Sequence, residues 1–512
     1  MPAGNLLVHG RRIPADQLTP VLAYRRLVAP DERHAPSFLL ESVEQGGAVG
    51  RHSMLGARPA IEVIARERSV EVLRDGRVAE RFDCDDPLAS PRRLTGQWKP
   101  IRSGAVPDAF HGGWVGFVGF DAVRWLEPGA LPFSRAPRDD RGLPDMHLGL
   151  YRNVAVFDHA LRVVDCVAAE PLDLHGSERA ARAAADLSID AAIHAMLHER
   201  PPLPTGEIAL DLAAAPTPPM PGSMTQAQFE QAVTQAKRAI AAGDAFQIVL
   251  SQRLERSTRV DPFEVYRALR IVNPSPYQVY LQARDCILVA SSPEIACRVR
   301  GRTVTNRPLA GTRPRGATPD ADAANERDLL ADPKERAEHA MLVDLGRNDL
   351  GRVCEPGSVR VERCMDVERY SHVMHLSSTV TGTLRAGLDA WDALRATLPV
   401  GTVSGAPKIR AIQIIDELEP VRRGPYAGGI GVAGFDGDMD MAIALRTMVV
   451  PTRGAAGAPW RVHLQAGAGV VLDSDPTAEY RETMHKSAAL GRAIDLAEQA
   501  FAGSVGGSAP AP

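Results

Sequence analysis

The chain has 512 residues, beyond the length at which one hydrophobic core usually stops growing, so two closely joined lobes are expected. Hydrophobic residues make up 45% and charged residues 24%, and 59 basic against 63 acidic side chains leave a net charge of −4. That balance excludes a global field for nucleic acid, and no run approaches the roughly 18 apolar residues of a membrane helix. The six scattered cysteines form no C-x-x-C pair and read as reduced, mostly buried thiols, not as a zinc site or disulfide framework. Residues 1–17 are mixed and polar without a signal-peptide core, so the expected location is the cytoplasm.

In chain order, residues 61–65, 69–73 and 153–158 read as strands between turn signals, and residues 188–200 as a helix. A proline-dense seam follows, with PPLP and PTPPMPG, and cannot sustain helix or sheet. The expected organisation is an N-terminal region over 1–200, a linker over 201–224, a C-terminal domain over 225–502 and a disordered tail over 503–512. The C-terminal domain opens on a helix over 225–242, with Thr225 as N-cap, Gln228 three residues later and Gly243 closing it.

Two further helices start alike, one at Asp332-Pro333 and one at Asp475-Pro476, where Asp suits the cap and Pro the first turn. The first carries Glu335 and Glu338 and the second Glu479 and Glu482, each pair spaced i, i+3 on one face. Taken alone, each is a capped, solvated amphipathic helix. If the pairs met across a cleft, they would offer hard oxygen ligands for Mg²⁺. The turns at Gly311-Thr312 and Gly467-Ala468-Gly469 can present backbone N–H groups to an anion, but neither matches a P-loop or dinucleotide fingerprint. His375 lies among apolar and aromatic residues, where a hydrogen-bonded core histidine is the ordinary reading. Arg446 lies in an apolar run and must find an anion, structural or bound.

Longer words in the sequence carry more. Arg307-Pro-Leu-Ala-Gly-Thr-Arg-Pro-Arg-Gly316, the run Glu338 to Arg352, Tyr370-Ser-His-Val-Met-His375, Gly401-Thr-Val-Ser-Gly-Ala-Pro-Lys408 and Gln465-Ala-Gly-Ala-Gly469 occur in that order. Leu39-Leu-Glu-Ser42 and Gly112-Gly-Trp-Val-Gly-Phe117 extend the series into the N-terminal half. Together they resemble the chorismate-utilising enzymes, most closely the large subunits (component I) of anthranilate synthases. The resemblance implies an α+β fold of two large, mainly antiparallel sheets packed together and flanked by helices, with chorismate in a C-terminal cleft. It implies that Glu338 and Glu482 ligate Mg²⁺, with Glu335 and Glu479 acting behind them or through water. Glu294 would protonate the departing ring hydroxyl, a role that a burial-raised pKa would suit. His375 is tied to the later loss of pyruvate. Tyr426 and Arg446 would hold the enolpyruvyl carboxylate, while the backbone of Gly311, Thr312, Gly467, Ala468 and Gly469 supports substrate oxygens. Thr402 and Lys486 would line the same cleft.

Sister enzymes are separated by two positions. Isochorismate and salicylate synthases use a lysine to activate water where this chain has Gln247, which cannot act as a base. Aminodeoxychorismate synthases typically carry a nucleophilic lysine where this chain has Ala310. Both substitutions favour anthranilate, the first committed intermediate of tryptophan synthesis, over those alternatives. A non-catalytic regulatory relative is disfavoured by the acids, His375 and Arg446. No G-x-C-x-G glutaminase loop is present, so a separate glutamine amidotransferase subunit (component II) is the expected nitrogen source, in a heterodimer or heterotetramer. Leu40, Glu41 and Ser42 with Asn273, Pro276 and Tyr277 resemble a tryptophan feedback site. Gln278 stands there where the family usually has Met; burying its amide unpaired would cost about 1–3 kcal/mol.

Overall fold

A computed structural model describes residues 4–42, 50–198, 203–209, 211, 215–370, 373–455 and 457–501. The expected tail over 503–512 and parts of the linker lie outside the described residues. The strands form one sheet of 13 and one of 12. Pairing is mainly antiparallel; Leu6–Pro14 with Pro100–Gly104 is a parallel exception.

Each sheet takes strands from both sides of the proline-rich segment. In the larger, Ser37–Glu41 pairs with Tyr277–Gln282, setting Gln278 opposite Glu41. In the smaller, Gly113–Val118 pairs with Gly429–Gly434. The crossing segment lies on the C-terminal helix Pro476–Phe501, where the Thr217 N–H donates to the Asp495 carboxylate at 2.7 Å. Met220–Pro221 then adds a short strand to Gln247–Thr258.

Side-chain alternation sorts the core into three layers. Phe38, Val279, Leu281 and Val449 of the larger sheet meet Val115, Phe117, Ile430 and Ala442 of the smaller. Their neighbours Leu39, Tyr280 and Met448 point outward against the helices Pro20–Leu27, Glu178–His198, Pro262–Val272 and Pro476–Phe501. Trp114, Val118, Met441 and Ile443 point outward from the smaller sheet against Val343, Leu394 and Ile412. Each such buried side chain stabilises by about 1.5–3 kcal/mol, so a one-residue register slip, which exchanges the two faces, is prohibitive.

The strands expected at 61–65, 69–73 and 153–158 occur as Ile61–Arg66, Ser69–Arg74 and Asn153–Asp158. The helix expected over 188–200 begins ten residues earlier, at Glu178, because the alanine- and arginine-rich stretch before Ser188 also propagates helix. Gln226–Ala241 carries the anticipated capping box, with both Thr225 and Gln228 bonds formed.

Candidate active site

The acid-bearing helices are Pro333–Gly351 and Pro476–Phe501. Asp332 caps the first by accepting from the N–H groups of Lys334 and Glu335. The Asp475 carboxylate accepts from the Ala478 N–H at 2.8 Å in the second. Glu335 does not reach back to its cap; its carboxylate accepts from Arg313 at 3.2 Å. The two helices present their acids to one another. Burial pushes the Glu338 carboxyl up and the nearby charges of Glu335 and Glu482 push the same way, against a hydrogen bond from Gln247. Glu479 is raised by burial and by Glu482. Glu482 is half-exposed and paired with Lys486 at 2.7 Å, so a metal ligated by Glu482 must compete with that ammonium.

Mutually repelling carboxylates are the donor chemistry of a hard cation. Among the described residues no three His, Cys, Asp or Glu side chains gather as a ready-made cage. Mg²⁺ asks for less, one or two carboxylates with water completing the octahedron, and Glu338 with Glu482 fits that requirement.

Around these acids lie the turns. Gly311 has φ +64° at a bulge in Leu309–Pro314, a left-handed conformation suited to glycine. A Cβ there would stand 3.2 Å from Glu335 Oε2, so the turn and the acid are in contact. The Gly311 carbonyl lies 2.9 Å from His375 Nδ1. A carbonyl only accepts, so Nδ1 carries the proton and Nε2 keeps its lone pair. The Thr312 hydroxyl is 3.1 Å from the same Nδ1. Burial, reinforced by the charges of Arg446 and Lys486, pushes His375 down to about 4, so the ring is neutral at pH 7.

Glu294 and Arg446 sit where the chain changes sheets. Glu294 falls between Cys286–Ser292 in the larger sheet and Ile295–Arg300 in the smaller; Arg446 lies between Met439–Ile443 and Thr447–Pro451 on the return. Burial pushes Glu294 up to about 8. The Thr402 hydroxyl beside it pulls the other way, but both Glu294 Oε1 and Thr402 Oγ1 lack a hydrogen-bond partner, so burial dominates. Arg446 adopts φ +46°, a sparsely populated conformation for a branched-free side chain that costs about 1 kcal/mol. Burial lowers its pKa, and the Tyr370 phenolic oxygen acts in the opposite direction. No carboxylate pairs with Arg446 among the described residues, so its charge is available to a bound anion.

A third group lines the ends of Gln247–Thr258 and Trp460–Val470, which pair with Val249 opposite Gly469 and Ser251 opposite Gly467. Lys486 Nζ donates to the Gly467 carbonyl at 3.0 Å, and the buried Tyr426 hydroxyl faces Gly467. Gln247 Nε2 donates to Glu338 Oε1 at 2.8 Å, while Gln247 Oε1 has no partner. A Cβ on Gly469 would stand 2.7 Å from Gln247 Nε2 and displace it.

The residues of the resembled feedback site also assemble. The Glu41 carboxylate accepts from the Tyr266 hydroxyl at 2.7 Å and pairs with Arg270 at 2.7 Å. Leu40 lies opposite Val279, and Ser42 bonds through its carbonyl to the Gly50 N–H at 2.8 Å. Tyr277 donates to Asp440 at 2.7 Å, beside part-buried Pro276. Gln278 is half satisfied: Nε2 donates to the Asn273 carbonyl at 2.9 Å, but Oε1 is unpartnered, as are Asn273 Nδ2 and Ser275 Oγ. Ser291 joins the two clusters, since its hydroxyl donates to the Asn273 carbonyl and its N–H to the Arg446 carbonyl at 3.1 Å.

Sequence reasoning assigned no role to Tyr370, which packs edge-on to His375 at 5.7 Å and donates to Glu368 at 2.8 Å. Its position in the same short motif as His375 was the available signal.

A buried neutral acid, an arginine with no carboxylate partner among the described residues, facing carboxylate pairs and glycine turns thus lie together on two joined sheets, an arrangement suited to an anionic ligand. Residues 35–492 match the family of chorismate binding enzymes, and the chain belongs to it. It is 53% identical to the chloroplastic anthranilate synthase alpha subunit 1 of Oryza sativa subsp. indica, over 97% of this chain and 89% of that one. It is 48% identical to anthranilate synthase component 1 of Streptomyces coelicolor, over 95% and 88% respectively. The crystal structure of anthranilate synthase component I from Streptococcus pneumoniae TIGR4 superposes with a TM-score of 0.72 at 37% identity, covering 94% of this chain and 99% of that one. The menaquinone-specific isochorismate synthase of Escherichia coli shares the fold, with a TM-score of 0.68 at 20% identity, covering 96% and 95%.

Proposed function

We propose that this chain is the chorismate-converting subunit of anthranilate synthase, turning chorismate and ammonia into anthranilate, pyruvate and water. Gln247 carries the reading. It is neutral, buried and held by Glu338, so it offers no base to activate water, while its free Oε1 can accept an N–H from ammonia. Ala310 supplies no amine for a covalent route.

Arg446 and Tyr426 hold the enolpyruvyl carboxylate, Arg446 with its planar fork. Glu294, protonated at neutral pH, gives its proton to the ring hydroxyl, which leaves as water. The incoming nitrogen returns a proton, restoring the acid. His375, neutral and too weak a base at about 4 to hold a proton at pH 7, accepts a hydrogen bond at Nε2 and orients the amino intermediate for elimination. In that step the nitrogen-bearing ring carbon loses its proton, the ring–oxygen bond to the enolpyruvyl group breaks, the ring aromatises and the departing group takes up a proton to leave as pyruvate. Glu338 and Glu482 would hold Mg²⁺, with Glu335 and Glu479 behind them; when bound it supplies Lewis-acid polarisation of the ring carboxylate. Thr402 and Lys486 line the cleft. Glutamine nitrogen reaches the site through a separate amidotransferase subunit in a heterotetramer. L-Tryptophan acts at the cluster of Leu40, Glu41, Ser42, Asn273, Pro276, Tyr277 and Gln278. The reduced cysteines fit a cytoplasmic enzyme.

The test is direct. Purified chain with chorismate, Mg²⁺ and ammonium at alkaline pH generates anthranilate fluorescence and an equal amount of pyruvate, and glutamine without a partner gives neither. Intact chorismate, or a hydroxylated product, under those conditions defeats the reading.

A further inference from the structure

Arg423 and Glu419 are buried, with side chains 2% and 4% exposed, and the charges of both act on Tyr426. They form a fork-to-fork pair, Nε to Oε2 at 2.9 Å and Nη2 to Oε1 at 2.6 Å. Their remaining bonds all go to backbone or side-chain groups just behind the cleft. Arg423 Nη2 donates to the Val249 carbonyl and Nη1 to the Val403 carbonyl, each at 2.6 Å. Glu419 Oε1 accepts from the Ser251 N–H at 2.7 Å and its hydroxyl at 3.1 Å. The Ser251 hydroxyl in turn accepts from Gln465 at 2.9 Å.

The reason lies in the sheet. Gln247–Thr258 pairs along one edge with Trp460–Val470, but along the other it has only two short partners among the described residues, Gly405–Ala406 opposite Gln247 and Ile248 and Met220–Pro221 opposite Glu255 and Leu254. Between those two short strands the Val249 carbonyl and Ser251 N–H face the same edge with no strand beside them among the described residues. The guanidinium donates where a strand N–H would, and the carboxylate accepts where a strand carbonyl would. One ion pair thereby replaces a missing rung of the ladder.

Three pieces of the cleft hang from it. Val249 and Ser251 are the cross-strand partners of Gly469 and Gly467. Val403 is the neighbour of Thr402. Arg423 itself leads through Gly424 and Pro425 into Tyr426. We propose that Arg423 and Glu419 are positioning residues, which set the Gly467–Gly469 turn, Thr402 and Tyr426 in mutual register for chorismate. This rests on the reading that those groups hold the substrate.

Glu419→Gln keeps volume and removes charge; Arg423→Lys keeps charge and removes the fork. Each is expected to raise KM for chorismate about tenfold with kcat within about threefold, because the groups displaced bind ground and transition states alike. Arg25→Lys, in a buried pair with Asp261 among the outer helices, is the control; it should lower the unfolding midpoint and leave both constants unchanged. Lowered midpoints with wild-type KM in Glu419→Gln and Arg423→Lys would overturn the proposal, reducing the pair to a structural brace. If neither variant folds, Ser251→Ala decides by the same comparison, with a shift of about threefold. Chorismate-dependent shifts of the unfolding midpoint give a parallel dissociation constant. A wild-type chain that binds chorismate without making anthranilate would therefore refute the proposed activity while this comparison still stands.

Discussion

Replacing Glu294 by Gln exchanges a proton-donating acid for an amide of the same shape, at a place where burial has moved the acid from 4.5 up to about 8. At pH 7 about nine in ten molecules then carry the proton, against about three in a thousand for an unshifted glutamate, a gain of roughly 300-fold in available acid. The same shift has a stability side. A carboxyl raised in the folded state contributes stability fully present below 4.5 and lost as pH rises through about 8, amounting to about 5 kcal/mol. The amide escapes that loss but buries new N–H donors, returning about 1–3 kcal/mol. Glu294→Gln should therefore lower kcat/KM by about 10²–10⁴-fold while raising the unfolding midpoint by about 2–5 °C at pH 8, a gain that disappears by pH 5. Anthranilate fluorescence at fixed free ammonia, with thermal melts across pH, measures both. In the wild type, kcat/KM should fall as pH rises through about 8. A variant within tenfold of wild type, or one destabilised equally at both pH values, would refute the buried-acid argument.

Arg446→Gln should raise KM for chorismate about 10²-fold without lowering the unfolding midpoint, since an unpaired buried cation is removed; a destabilised variant with normal KM would mean a structural role. Glu482→Gln should raise the Mg²⁺ concentration for half-maximal rate at least about tenfold without unfolding this half-exposed site, and an unchanged Mg²⁺ titration would remove Glu482 from the metal. Gln278→Met should make tryptophan a stronger inhibitor by about three- to tenfold, because an unpartnered Oε1 leaves the pocket; an identical inhibition curve, or none at millimolar tryptophan in the wild type, would dissociate Gln278 from feedback.

Local signals were legible because they act within a few residues. The Thr225–Gln228 capping box, the Asp332 cap and the i, i+3 acids depend only on neighbours along one helix, and the structure has each of them. Strand pairing was not legible. Gln278 lies opposite Glu41, more than two hundred residues away, and no period or cap encodes that choice. The resemblance brought both segments into one expected site without saying how they touch. Glu419 and Arg423 show the limit from the other side. Their i, i+4 spacing resembles a helix-surface pair, yet Leu418 ends the helix and the two side chains close a sheet edge instead.

The residues hardest to place from sequence were polar groups in apolar surroundings, and their common position explains the difficulty. Along a strand, successive side chains face one of two apolar layers, leaving no neutral direction for a charge. Where the chain leaves one sheet for the other, that alternation breaks, and a side chain can point into the gap between strand ends. Glu294 occupies such a gap on the way out and Arg446 on the way back, with Ser291 bonded to the Arg446 carbonyl between them. Both are among the places where the chain passes between the two sheets, so the fold creates the polar gap whatever chemistry fills it. The acid and the hydroxyl that reaches Asn273 share one short stretch of backbone, and the Arg446 carbonyl is hydrogen-bonded to it. A ligand that moved Asn273 or Gln278 would pull on the end of the strand Cys286–Ser292 that leads into Glu294, without needing any longer path through the core.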